Sequence, residues 1–315
     1  MIKKETFTFE SRDGKTKLHA VRWIPEGKVI CILQIVHGMS EYVERYEEFA
    51  CYMAQKGILV TGEDHLGHGK SVPEGGIYGY FCEQDPATVV VRDVHRLKKM
   101  TQEEYPGVPY VILGHSMGSF ILRNYMCRYG TGIQGAVILG TGHMPVPAIT
   151  CAKGFTRVLK LLTGDMRVSK LLDKIAFGSY NKRIPEPKTE YDWLAAREAV
   201  VEDYINDPLC GAKFTVNGFW TLFELLLRAH KVENMKKIPK ELPVYLMAGE
   251  EDPVGDYAEG VRRLFEDYKN KLGMEHVELK LYPGDRHEIL NENDRQQVYE
   301  TLYPWIMERV KEYQL

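Results

Sequence analysis

The chain has 315 residues, longer than an average domain but within the reach of a single α/β core. Its 44% apolar and 27% charged residues are those of an ordinary globular protein, which excludes disordered and fibrous classes. With 41 basic and 44 acidic side chains the net charge is −3, so there is no basic footprint for nucleic acid.

The first stretch, MIKKETFTFESRDG, has two lysines but no apolar segment behind them. No apolar run approaches the roughly 18 residues of a spanning helix. The expectation is a cytoplasmic protein with no signal peptide and no transmembrane segment. Of the six cysteines, Cys31 lies in a strand-like run and Cys51 and Cys127 in helix-like ones, with no CxxC pairing. That usage predicts reduced, buried thiols and no structural zinc site.

In chain order, TFTFESRDGKTKLHAVRWIP alternates apolar and polar residues around Asp13-Gly14, which predicts a β-hairpin. VICILQIVHG is continuously apolar, as in a strand covered by helices on both faces. RYEEFACYMAQKG has helical spacing and ends on Gly57. The alternation then repeats: strand ILVTGED, helix VRDVHRLKKMTQEEY, strand PYVILGHS, helix MGSFILRNYMCRYG, strand GAVILGTG. Far downstream come strand LPVYLMAGEED, helix AEGVRRLFEDYKNKLG, strand VELKLYPG and a closing helix RQQVYETLYPWIMERVKEY. Strands alternating with helices of this length predict a mostly parallel, doubly wound sheet, with the hairpin adding antiparallel edge strands. Residues 143–235 break the rhythm, with three helix-like pieces and no convincing strand. They predict a helical cap inserted into a core formed by 1–142 and 236–315.

Gly114-His115-Ser116-Met117-Gly118 matches G-x-S-x-G, directly after one predicted strand and at the start of a helix. That context is what a nucleophile elbow needs: the sharp turn lifts a serine hydroxyl above the sheet. Met117, first in the helix, offers its backbone N–H to a developing oxyanion. The bland alternative is an ordinary strand–helix turn with a buried serine. A serine nucleophile needs a base. Of ten histidines, His287 sits past the last strand and before the final helix, where a loop residue can lean over the elbow. His37 ends the first core strand and orients the loop after it. His115 lies within the elbow and is expected to point away, and His230 reads as an ordinary helix residue. The acid that orients the base is Asp252, in a loop after a strand, with Glu250 and Glu251 as rivals. The order Ser116, Asp252, His287 is the one this arrangement uses. His37-Gly38-Met39 supplies the second oxyanion donor as the Met39 N–H.

Several segments together are recognisable. VHGMSEYVERY resembles the "HGxxEHxxRY" segment of monoacylglycerol lipases and related bacterial lysophospholipase-like hydrolases. EDHLGHGKS resembles their "D-x-x-GHG-x-S" loop, GHSMG their elbow, and GEEDPV and HEILNE their acid and base segments. The likeness covers most of both core halves; the cap matches by position and helical character only. It implies the α/β-hydrolase fold and a serine carboxylic-ester hydrolase acting through an acyl-enzyme on a monoacylglycerol, lysophospholipid or other small ester, with no cofactor. It also implies that Glu41 and Arg45 shape the site near the alcohol end; a buried Arg–Glu pair pinning the loop accounts for them equally. The chain departs from the pattern at Tyr42, at Ser119 and in GTGHM, which bears on glyceride specificity and not on the chemistry.

The cap segment NGFWTLFELLLRAH carries an apolar stripe of Phe219, Trp220, Phe223, Leu226 and Leu227. Such a stripe is either core or, at Phe223 and Leu226, the wall of an acyl pocket with transient lipid contact. Two rivals remain: an aminopeptidase or amidase on the same fold, and a non-catalytic ligand-binding protein.

Overall fold

The computed structural model describes residues 2–314. The hairpin strands β1 (Lys3–Glu10) and β2 (Lys17–Ile24) are antiparallel. Between them, Asp13 Oδ1 accepts the Lys15 and Thr16 N–H groups at 2.8 and 2.9 Å, closing the loop that the sequence marks. The chain then alternates through β3 (Cys31–Val36), α1 (Glu47–Gln55), β4 (Ile58–Glu63), α2 (Pro86–Glu104), β5 (Tyr110–His115), α3 (Met117–Tyr129) and β6 (Gly135–Leu139). Five helices follow before the next strand: α4 (Val146–Thr163), α5 (Lys170–Phe177), α6 (Glu198–Asn206), α7 (Val216–His230) and α8 (Val232–Met235). Strand β7 (Val244–Gly249), α9 (Glu259–Glu266), β8 (Val277–Tyr282) and α10 (Arg295–Gln314) complete the order.

The strands form one sheet in the order β1-β2-β4-β3-β5-β6-β7-β8. β2 is antiparallel to β4, and β3 to β8 pair in parallel. The continuous apolar runs have a simple cause. Tyr110 and Ile112 of β5 face the layer with α2, α3 and α7, whereas Val111 and Leu113 face the layer with α1 and α10. Both faces of the central strands are covered, so neither alternate position needs to be polar. Edge strand β8 is the exception, and its burial alternates.

The six cysteines are unpaired; of the thiols expected to be buried, Cys31 and Cys82 are, whereas Cys51, Cys127 and Cys210 are half-buried and Cys151 is exposed on α4. Among the described residues, no helix is long and apolar enough to cross a membrane.

Candidate active site

Ser116 occupies the turn between β5 and α3 with φ 53° and ψ −122°, a conformation disfavoured for any side chain but glycine. Its N–H donates to Leu139 O at the end of β6 (3.0 Å). The flanking glycines are steric necessities. A Cβ on Gly118 would stand 1.9 Å from Val36 O, and one on Gly114 would stand 2.5 Å from Gly118 O. The α3 N-terminus can therefore press against the end of β3, which brings the loop after β3 beside the serine: a Cβ on Gly38 would lie 3.0 Å from Ser116 Cβ.

That loop is set by a tautomer. His37 Nε2 accepts the His65 N–H at 3.0 Å, so the ring proton is on Nδ1, where it donates to Gly38 O at 2.8 Å. Burial pushes the His37 imidazole down to about 4, which keeps it neutral and able to accept. The Gly38 C=O and the Met39 N–H belong to one planar trans peptide and point in opposite directions. Holding the carbonyl therefore fixes the Met39 N–H. The Gly38 N–H is itself taken, donating to Glu41 Oε1 at 2.6 Å.

On the other side, His287 is 2% exposed and Asp252 is 0% exposed, with Nδ1 and Oδ2 2.9 Å apart. Asp252 Oδ1 accepts the Val254 N–H at 2.9 Å. The rival carboxylates point elsewhere: Glu250 reaches Arg262 at 3.5 Å on the surface, and Glu251 is exposed. Ser116 and His287 border one cavity of about 580 Å³, together with Met39 and Met117. Its apolar wall includes Phe120, Phe177, Leu222, Phe223 and Leu226. The apolar stripe of α7 thus divides: Phe223 and Leu226 reach the cavity wall, while Phe219 is fully buried and does not line it.

Glu41 and Arg45 form a buried ionic cluster. Arg45 Nη1 donates to Glu41 Oε2 (2.8 Å), and its two terminal nitrogens grip Glu288 at 2.8 and 2.9 Å. Tyr46 OH donates to Glu41 Oε1 at 2.8 Å. Burial would raise the Glu41 carboxyl, but the His115 hydrogen bond and the Arg45 charge hold it well below the ordinary range. These contacts are the ones the loop-pinning alternative describes. Arg45 is absent from the cavity wall, and both Glu41 oxygens are engaged inside the protein, although Glu41 borders the cavity.

His115 does not point away from the site. Its ring stacks obliquely on His287, centroids 4.7 Å apart, and its Nε2 donates to the His287 carbonyl at 3.2 Å. Nδ1 lies 3.2 Å from Glu41 Oε1 and 2.9 Å from Tyr46 OH. Burial pulls the His115 imidazole down, but the Glu41 hydrogen bond and charge more than offset it and the net shift is upward. An imidazolium, donating from both nitrogens, fits those partners. His230 lies at the end of helix α7, where it is buried, its Nδ1 donates to Leu226 O (2.8 Å), and its Nε2 accepts the Met144 N–H (3.3 Å). Sequence reasoning missed Glu288 and His115 as members of this cluster. A basic residue in VERY signals some acidic partner, but nothing in the sequence points 243 residues ahead. Among the described residues no group of His, Cys, Asp and Glu could hold a metal ion.

A serine strained at a strand–helix elbow, at the mouth of a mostly parallel sheet sheathed by helices, defines an α/β hydrolase. Within that class the chain belongs to the family whose model, described as "Serine aminopeptidase, S33", matches residues 27–294. It is 27% identical to a monoacylglycerol lipase of Mycolicibacterium smegmatis over 285 residues, 90% of this chain and 91% of that one. It is also 27% identical to the human monoglyceride lipase over 293 residues, 91% and 86% of the two chains. The crystal structure of a thermostable carboxyl esterase from Bacillus coagulans, in complex with glycerol, superposes with a TM-score of 0.91. That match has 31% identity over 98% of this chain and 100% of the esterase.

Proposed function

We propose that the protein hydrolyses carboxylic esters carrying an acyl chain, monoacylglycerols among them, with Ser116 as nucleophile, His287 as base and Asp252 as its orienting acid. The observation that carries this reading is the buried Asp252–His287 pair, 2.9 Å apart, with His287 on the same cavity as a serine held at φ 53°. Asp252 accepts a hydrogen bond from Nδ1–H, which leaves Nε2 of His287 free to take the Ser116 proton. Ser116 Oγ attacks the ester carbonyl, and the Met39 and Met117 N–H groups receive the negative charge on its oxygen. His287 then protonates the leaving alcohol, and water activated by the same ring releases the acid from the acyl-enzyme. Groups of the chain supply every step. Residues 143–235 act as a cap over this centre, and the six unpaired cysteines support a cytoplasmic setting.

The family description favours one rival, an aminopeptidase. An aminopeptidase site needs a carboxylate free to hold the substrate's α-ammonium group. The acids on the cavity wall away from the triad, Asp173 and Glu190, are both paired with Lys213, at 3.0 and 3.5 Å. The test is a panel of p-nitrophenyl esters of graded acyl length beside aminoacyl p-nitroanilides. Turnover of the esters at about 10³-fold or more above the anilides is expected, with KM falling from acetate to octanoate as the apolar wall is filled, by about 0.8 kcal/mol for each methylene buried. Preference for the anilides would overturn the ester reading.

We also propose that the cap meets lipid surfaces. Leu161 and Leu162 on α4 are 80% and 75% exposed, with Phe155, Val158, Met166, Leu171 and Ile175 exposed nearby. Ile175 and Met144, themselves exposed, also line the cavity, and Arg157, Lys160, Arg167, Lys170 and Lys174 lie among these residues in the sequence, the composition an anionic lipid surface attracts. In flotation with phosphatidylcholine–phosphatidylglycerol vesicles, Leu161→Ser/Leu162→Ser should lose most binding while acetate-ester turnover stays unchanged. Undiminished flotation would refute the contact.

A further inference from the structure

The cap covers the site unevenly. On α4 only Ile149 and Thr156 are buried, and on α5 only Leu172. The short segment 192–197, just before α6, is held quite differently. Arg286 Nη1 donates to the carbonyls of Asp192 (2.6 Å) and Ala195 (3.0 Å). The Glu288 N–H donates to Leu194 O at 2.8 Å. Glu292 works in the opposite sense: Oε1 accepts the Ala196 N–H (2.7 Å) and Oε2 the Arg197 N–H (3.2 Å). Oε1 also takes the Arg286 N–H at 3.0 Å, which ties the carboxylate to the loop that carries His287. Residues on both sides of His287 are therefore bound to the cap segment, and Glu292, 1% exposed, is where the two chain segments meet.

The residue at the centre of that segment is Trp193. Its indole lies over the His287 imidazole, centroids 5.2 Å apart, and lines the cavity. Its backbone N–H donates to Asn181 Oδ1 (3.0 Å), and Tyr180 packs on its outer side at 4.9 Å. The imidazole is also met by His115, at 4.7 Å. The imidazole thus touches two rings, His115 of the elbow and Trp193 of the segment before α6.

We propose that the cap segment 192–197 is part of the catalytic apparatus: Trp193, held by the Arg286 and Glu292 cross-links, is a positioning residue for His287. This rests on the reading of His287 as the base of an ester hydrolase. A ring held only by its Asp252 hydrogen bond can still rotate about that bond, carrying Nε2 off the line to Ser116. Two rings packed against it restrict that freedom, and a displacement of about 1 Å costs on the order of 100-fold in rate. The inference also gives the trailing glutamate of HEILNE a task that its position five residues after the base does not suggest.

The test uses full-length Trp193→Ala, Trp193→Phe and Glu292→Gln, with p-nitrophenyl acetate and octanoate. Acetate is too short to need an acyl wall, so it separates positioning from binding. Trp193→Ala and Glu292→Gln are expected to lower acetate kcat roughly 10- to 100-fold with KM within about twofold, while Trp193→Phe keeps most of the activity because a ring still fills the space. If Trp193 only walls the acyl chain, Trp193→Ala will raise KM for octanoate and leave acetate kcat unchanged, which overturns the proposal. Near-UV circular dichroism checks folding; should Glu292→Gln unfold, Trp193→Ala, which leaves every cross-link in place, decides alone. Failure of the underlying reading looks different: the wild type would then not turn over acetate at all, or would do so equally well as Ser116→Ala.

Discussion

Ser116→Ala is expected to lower kcat for p-nitrophenyl esters by about 10⁶-fold, and Asp252→Asn by about 10⁴-fold, both with the fold retained. The first removes the only atom that forms the acyl-enzyme. The second is the more informative. The carboxamide has the shape of the carboxylate it replaces, and its carbonyl could still accept the Val254 N–H, which Asp252 Oδ1 now does at 2.9 Å. Its NH₂ group would face His287 Nδ1 from the place of Oδ2. Two donors cannot share that contact, so the imidazole adopts the tautomer with the proton on Nε2 and can no longer take one from Ser116. Steady-state kinetics beside thermal unfolding makes the measurement, with Glu251→Gln as a control expected at full activity because Glu251 is exposed. If Asp252→Asn kept more than about a tenth of kcat, Asp252 would not be the orienting acid.

Much of this site is legible in the sequence because its parts sit at strand ends, and strand ends are easy to read. The continuous runs of β3, β5 and β6 announce a sheet covered on both faces, and GHSMG follows β5 with the glycines that close approach demands. Three adjacent carboxylates at 250–252 are another matter. Only the direction in which the chain leaves β7 separates them: the Glu250 and Glu251 N–H groups pair with Tyr282 O and Asp285 O, and the next residue turns inward. Composition and spacing hold no record of that turn. The apolar stripe of α7 fails for a similar reason. Helical periodicity shows that Phe219 and Phe223 share a face, but not that the first meets Phe214 and the second the cavity. Least visible are the contacts between distant segments. The contacts of His287 with His115 and with Trp193 bring together three parts of the chain that share no motif.

Arg45→Met is expected to lower unfolding free energy by about 3–5 kcal/mol, the cost of leaving buried carboxylates without their partner. The guanidinium holds Glu41 and Glu288 together, and the side chain is 11% exposed, so water cannot replace it. The loss should depend on pH in a definite sense. The Glu41 carboxyl is depressed in the folded wild type, so its contribution is present above the unfolded value of about 4.3 and fades as pH falls below it. The gap between variant and wild type in urea unfolding should therefore be widest near pH 7 and narrow as pH drops through about 4. Activity should fall with it, because Glu41 holds the Gly38 N–H beside the proposed oxyanion donor and Glu288 follows the proposed base in the chain. Arg45→Lys keeps the charge but not the two-pronged grip on Glu288, and should recover only part of the loss. The substrate-facing alternative predicts something else: a raised KM with stability within about 1 kcal/mol of wild type. That outcome would return Arg45 to the alcohol end of the site, and a stability loss with unchanged KM would leave it where its hydrogen bonds put it, beneath the loops that carry Met39 and His287.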